Sequence, residues 1–122
     1  MIRILYVEDN EDNVYMLSQR LRKHGFEVSI AFDGEQGIEM ARLERPDLIL
    51  MDLGLPFLDG WTAARRLKEA PDTKAIPIIA LSAHTMPGDR ERCIAAGANE
   101  YMTKPVRLKL LKQTIEELLQ NK

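Results

Sequence analysis

Five short apolar runs, each parted from the next by a stretch of helical spacing, constrain this 122-residue chain more than any other feature. The runs are Ile2 to Val7, Phe26 to Ala31, Leu48 to Met51, Ile76 to Leu81, and a weaker one at Glu100 to Thr103. Leu48 to Met51 and Ile78 to Leu81 are apolar throughout instead of alternating, which suits strands covered on both faces. Between the runs, Val14, Leu17 and Leu21 recur at three and four residues, as do Leu108, Leu111, Ile115 and Leu118 near the C-terminus. His24-Gly25 closes the first of these helices, with glycine in the left-handed cap. Gly34 to Leu43 predicts a second helix, stopped ahead of Pro46 because the residue before a proline resists the α region. Trp61, Ala64 and Leu67 mark a third, ending near Pro71. Pro87 to Ala96 predicts a fourth, with Pro87 in its first turn and Gly97 closing it. Strands joined by single helices need crossover connections, almost always right-handed. The expected fold is therefore α/β, a three-layer α/β/α sandwich around a parallel five-stranded sheet, in one domain spanning 1–122.

Bulk properties remove several function classes. Seventeen Lys and Arg against 19 Asp and Glu leave a formal net charge of −2, no global attraction for nucleic acid or an anionic membrane. No run approaches the roughly 20 apolar residues of a membrane helix, and the apolar N-terminus is too short for a signal peptide. Cys93 stands alone, so no intrachain disulfide can form. A reducing, cytoplasmic setting is expected.

Chemistry in an open parallel sheet collects at the carboxyl ends of the strands. There the first run delivers Glu8 and Asp9, the third Asp52, the fourth Ser82 and the fifth Lys104. Singly, each has an ordinary reading: an Asp after a strand is usually a turn former or helix cap, Ser82 an ordinary cap, Lys104 a solvated lysine. Together they place three carboxylates, a hydroxyl and an ammonium on one edge. Crowded carboxylates call for an offsetting cation, and an oxygen-only donor set points to a hard ion such as Mg²⁺. A carboxylate beside such an ion and a lysine is suited to attack on phosphorus, giving an acyl phosphate.

Glu8-Asp9-Asn10, Met51-Asp52-Leu53-Gly54-Leu55-Pro56 with Asp59-Gly60, Ser82-Ala83 and Lys104-Pro105 resemble the receiver domain of two-component response regulators, in order and along essentially the whole chain. The resemblance implies the flavodoxin-like, CheY-like (βα)5 fold with strand order 2-1-3-4-5. It implies that Asp52 takes a phosphoryl group from a phosphohistidine on a sensor histidine kinase or histidine phosphotransfer protein. Asp9 and Asp52 would ligate Mg²⁺ together with the backbone carbonyl of Gly54, and Glu8 would act through a water. Lys104 would pair with the phosphoryl oxygens, Ser82 would swing toward them, and Tyr101 would be the aromatic switch coupled to that swing. The Lys104-Pro105 peptide is expected to be cis. The readout would be the face of the fourth helix, fifth strand and fifth helix, meeting a downstream protein or a second copy as a homodimer. The domain would be a non-enzymatic switch that neither binds DNA nor enters a membrane. The Met1 start and a last helix running almost to Lys122 predict a stand-alone regulator.

Two details depart from the common pattern. Gly54 leaves the second position after Asp52 without a side chain, so the lifetime of the phosphorylated state is expected to be tuned by His84. Asn13 completes an Asp-Asn-x-x-Asn pattern often seen in phosphorelay receivers. Tyr101, Trp61 and Cys93 each also read as packing residues, and His24 as a surface residue. Three rivals share part of the pattern. A receiver-like interaction module that works without phosphorylation would not need the intact set of Glu8, Asp9, Asp52, Ser82 and Lys104. A haloacid-dehalogenase-type phosphatase wants a second acid where Gly54 stands. In a flavin-binding flavodoxin-like protein, Glu8 and Asp9 would repel the phosphate.

Overall fold

The apolar runs become five parallel strands: β1 Arg3–Val7, β2 Glu27–Ala31, β3 Leu48–Asp52, β4 Ile78–Ser82 and β5 Glu100–Thr103. They alternate with α1 Glu11–Lys23, α2 Gly34–Glu44, α3 Gly60–Glu69, α4 Asp89–Ala95 and α5 Leu108–Gln120. The computed structural model of the protein describes residues 1–83 and 86–120. The sheet order is β2-β1-β3-β4-β5, the expected one. Register aligns the strand ends, with Val7 opposite Ala31 and Met51, Asp52 opposite Leu81, and Ser82 opposite Thr103.

Strand residues alternate between two cores because successive side chains leave a strand on opposite faces. Leu5, Val7, Ile49, Met51, Ile78 and Ala80 pack with Ile38 and Ala41 of α2, Ala63, Ala64 and Leu67 of α3, and Cys93 of α4. On the other face, Ile4, Tyr6, Leu48, Leu50, Ile79 and Leu81 pack with Leu17 and Leu21 of α1 and Leu111 and Ile115 of α5. Covering on both faces is what makes β3 and β4 read as unbroken apolar runs. Cys93 lies fully inside, where burial first and the Asp89 charge second push its thiol up to about 11. It therefore stays protonated and inert.

Side-chain caps set where three helices begin. Asn10 accepts from the Asn13 N–H at 2.9 Å, Asp33 from Gln36 at 2.8 Å and Asp59 from Thr62 at 2.8 Å. Gly25, with φ +88°, closes α1 as predicted. The end of α2 is marked by Arg45 in a left-handed conformation, φ +48°, directly before Pro46. The expectation for α4 needs correction: the helix starts at Asp89, two residues after Pro87. Gly88 takes φ +88°, which no helical residue adopts, and forms the entry to the helix. The Asp89 carboxylate accepts from the Met86 N–H at 2.8 Å, and the Asp89 N–H donates to the Met86 carbonyl at 3.0 Å, closing a turn before the helix. Two charged contacts then hold α4: Arg92 lies 4.8 Å from the centroid of the Trp61 ring on α3, and Arg90 pairs with Glu100 of β5 at 2.7 Å.

Candidate functional site

The site grows from the ends of β1, β3, β4 and β5. Glu8 follows β1 directly and is 1% exposed, while Asp9 beside it faces solvent. Asp52 is the last residue of β3 and is 5% exposed. Carboxylate oxygens of Glu8, Asp9 and Asp52 all lie within 4.8 Å of one another. Ser82 closes β4, nearly buried, and its carbonyl accepts the Lys104 N–H at 2.8 Å. That bond fixes the backbone from which Lys104 reaches inward, and the Lys104-Pro105 peptide is cis.

Lys104 is the electrostatic centre. Its Nζ stands 2.6 Å from Glu8 Oε1 and 3.2 Å from Asp52 Oδ1. Burial alone would pull its pKa down, but the hydrogen bond it donates to Glu8 and the Asp52 and Glu8 charges together outweigh it and hold the pKa above the ordinary lysine value. The ammonium is thus permanent at neutral pH. One cation against three carboxylates still leaves the cluster short of positive charge.

Asn10 and Asn13, noted in the sequence as part of a motif, and Tyr6, which sequence reasoning passed over, complete the cradle of Glu8. The buried Tyr6 hydroxyl donates to Glu8 Oε1 at 3.3 Å, the Asn13 side-chain amide donates to the same oxygen at 3.4 Å, and the Asn10 N–H donates to Oε2 at 3.3 Å. Burial, then the charge of Glu8, raises the Tyr6 pKa well above the usual phenol range, so Tyr6 is always a donor. The available signal was a tyrosine in a fully covered strand, whose hydroxyl must find a partner.

Gly54 is exposed, and its N–H donates to Asp52 Oδ1 at 3.3 Å. A Cβ there would meet only that oxygen, at 4.0 Å, so the position is open toward the carboxylate. Tyr101 is set back from the carboxylates: it is 9% exposed and packs in the same core as Cys93 and Ala98, opposite Ala80 of β4. Trp61 is half-buried against that core, and His24 is exposed. His84, expected to tune the phosphorylated lifetime, lies outside the described residues.

The charge imbalance has a testable consequence. Among the described residues Asp9 adds repulsion without an ion pair of its own, so Asp9→Asn in metal-free buffer should raise stability by up to about 1 kcal/mol at low salt. A urea titration with chelator present checks this; a lowered midpoint would show that Asp9 is held by contacts rather than tolerated.

The donor set suits a divalent cation: three hard carboxylates converge, with a single ammonium among the described residues to offset them. Comparison with known proteins points the same way. The family model of the response regulator receiver domain matches residues 4–116. Protein PilH of Pseudomonas aeruginosa is 40% identical over 119 residues, covering 98% of each chain. The polar-differentiation response regulator DivK of Brucella anthropi is 35% identical over 116 residues, covering 95% of this chain and 94% of DivK. The response regulator PleD of Caulobacter vibrioides is 41% identical over 104 residues, but that segment spans only 23% of PleD. Among solved structures, the receiver domain of a Pseudomonas aeruginosa sensor histidine kinase, with a magnesium ion coordinated in its active site cleft, superposes with a TM-score of 0.90 at 39% identity, covering 98% of both chains. Chemotaxis protein CheY4 of Vibrio cholerae gives a TM-score of 0.90 at 28% identity, covering 98% of this chain and 99% of its own. With strand order, strand-end residues and relatives in agreement, this chain belongs to the response regulator receiver domain family of two-component signalling.

Proposed function

We propose that this receiver is a reversible, Mg²⁺-dependent phospho-switch in which Asp52 stores the phosphoryl group. The observation that carries this reading is the placement of Asp52 between the Lys104 ammonium, 3.2 Å away, and the Glu8 and Asp9 carboxylates. Asp9, Asp52 and the Gly54 carbonyl would hold the ion, with Glu8 acting through a water. When bound, Mg²⁺ neutralises charge on the transferring oxygens and lets the acids stay ionised together.

The rest of the chemistry belongs to the chain. An Asp52 carboxylate oxygen forms a bond to phosphorus as the P–N bond of a phosphohistidine breaks. The electron pair returns to the imidazole of the donor, which takes up a proton from solvent. Lys104 meets charge on the phosphoryl oxygens, and the Ser82 hydroxyl supplies a donor from the end of the neighbouring strand. Binding of those oxygens by Ser82 and Lys104 favours one conformation over another, and only such differential binding shifts the equilibrium. Tyr101, packed behind β4, would couple that shift to the α4-β5-α5 face, where a downstream protein or a second copy binds. The donors fitting this chemistry are a sensor histidine kinase or a histidine phosphotransfer protein in the cytoplasm. The domain turns over no separate substrate, so it is a switch rather than an enzyme, acting through protein contacts and not on DNA.

Incubation with Mg²⁺ and phosphoramidate tests the assignment. Wild type should become labelled, and Asp52→Asn should not; equal labelling of the two proteins would sink the role of Asp52. Omitting Mg²⁺ should suppress labelling of wild type as well.

A further inference from the structure

The loop from Leu53 to Asp59 is built to be rigid. Leu53 and Leu55 are 7% exposed, and Leu58 packs against the same core. Gly60 brings the loop back onto its own start: its N–H donates to the Leu53 carbonyl at 3.3 Å, and its Cα passes so close that a Cβ would lie 2.2 Å from the Asp52 carbonyl oxygen. On the outer side, Gly34 of α2 approaches Leu58 so closely that a Cβ would lie 2.6 Å from its carbonyl oxygen. Asp59 then caps α3 through both Thr62 groups, at 2.8 and 3.2 Å.

Phe57 breaks the pattern of this loop. The loop's other large apolar residues, Leu53, Leu55 and Leu58, turn inward, while Phe57 is 99% exposed. It also holds φ +65°, a left-handed conformation that is unfavourable for a bulky side chain and that Gly or Asn adopts far more readily. A strained backbone and a bare aromatic ring both cost the isolated domain stability or solubility. Neither is repaid by any contact within the described residues. Costs of this kind persist where a function requires them.

Access to Asp52 says what the function is. Its side chain is only 7% exposed, so a donor must push its reactive group into the strand-end cleft while its body rests on the surrounding loops. Both ends of the Phe57 loop are anchored at Asp52. Phe32, after β2, and Met86, after β4, are further large apolar side chains exposed in loops at the same edge of the sheet. A rigid, pre-exposed aromatic is the kind of side chain that anchors a protein interface, since little entropy is lost when it is covered.

We propose that Phe57 is a docking anchor for the protein that carries the phosphohistidine, setting how well that donor is held while Asp52 is phosphorylated. This rests on the reading of Asp52 as the phosphoryl acceptor. It makes Phe57 a specificity residue that never touches the reacting atoms.

The test uses two donors that share the same P–N bond. One is phosphoramidate, which has no surface to dock. The other is an autophosphorylated histidine kinase or phosphotransfer protein, chosen from those of the source organism as the one that labels wild type fastest. For Phe57→Asn, the KM toward the protein donor should rise roughly tenfold or more, with kcat little changed. The rate with phosphoramidate should equal that of wild type. The urea midpoint should be unchanged or higher, because Asn accepts the left-handed conformation. Phe57→Trp should keep the KM of wild type. An unchanged KM in Phe57→Asn overturns the proposal, and so does an equal loss with both donors, which would place Phe57 in the architecture of the site. Labelling of wild type by phosphoramidate but by no histidine-bearing protein also overturns it. Failure of phosphoramidate to label wild type would instead remove the acceptor reading beneath it.

Discussion

Lys104→Met is expected to destabilise the fold by about 3 kcal/mol at neutral pH, read as a lowered urea midpoint with an unchanged slope. Methionine keeps much of the aliphatic stem, so the change isolates the charge. What it leaves behind is Glu8, 1% exposed, without the ammonium that stood 2.6 Å away. Three neutral donors remain on Glu8, from Tyr6, Asn13 and Asn10, but at 3.3 to 3.4 Å they are long and weak. Removing one partner of a buried pair costs far more than the pair contributes in total, because the survivor keeps its full desolvation penalty. By contrast, the exposed pair Arg66–Glu35 at 3.5 Å contributes about 0–1 kcal/mol. A loss under about 1 kcal/mol for Lys104→Met would mean that the neutral donors suffice. The pH dependence has a definite sign. The folded-state pKa of Lys104 is raised above its ordinary 10.5. Its contribution in wild type is therefore complete below that value and is lost only as pH climbs through the higher, folded one. Lys104→Met should remove this alkaline decline.

Gly60→Ala is expected to cost about 3 kcal/mol or more, and to reduce phosphoramidate labelling of the protein that still folds. The new Cβ would lie 2.2 Å from the Asp52 carbonyl oxygen and 2.7 Å from the Leu53 Cα. Both are backbone atoms, so no side chain can swing aside; either the end of β3 or the start of α3 must shift. Because the shift falls on the residue that carries the candidate acceptor, stability and labelling should fall together. Gly25→Ala separates this clash from backbone strain. Gly25 is the reverse case: it holds a positive φ, +88°, but has open space around it, so alanine there should cost only about 1 kcal/mol. Equal losses at the two positions would refute the steric account.

Much of this architecture is written locally in the chain. The unbroken apolar stretches of β3 and β4 announce strands covered on both faces. The order of Glu8, Asp9, Asp52, Ser82 and Lys104 along the chain places them on one edge once the crossovers are drawn. The start of α4 was less legible, because Pro87 is as acceptable inside a first helical turn as before one. The choice was made by Gly88, whose left-handed conformation and whose neighbouring Asp89–Met86 turn leave no trace in hydrophobic periodicity. Pairings across the sheet were harder still. The order of strand ends brought Lys104 to the acids without saying which carboxylate it would approach most closely, and that is Glu8, 96 residues away. Tyr6 passed as one more apolar strand residue, since nothing in β1 alone says that its hydroxyl ends beneath Glu8. Phe57 raised no signal either, because exposure and φ are properties of the folded loop.

The stacking of Arg92 on Trp61 has a practical side. Trp61 is the only tryptophan in the chain, and it stands at the seam between α3 and α4, beside the face through which signalling would be read. A guanidinium over an indole alters its emission, so the unlabelled protein contains its own optical gauge of α4. Rearrangement of that seam can be followed in stopped flow, in real time, with no dye attached and no cysteine engineered.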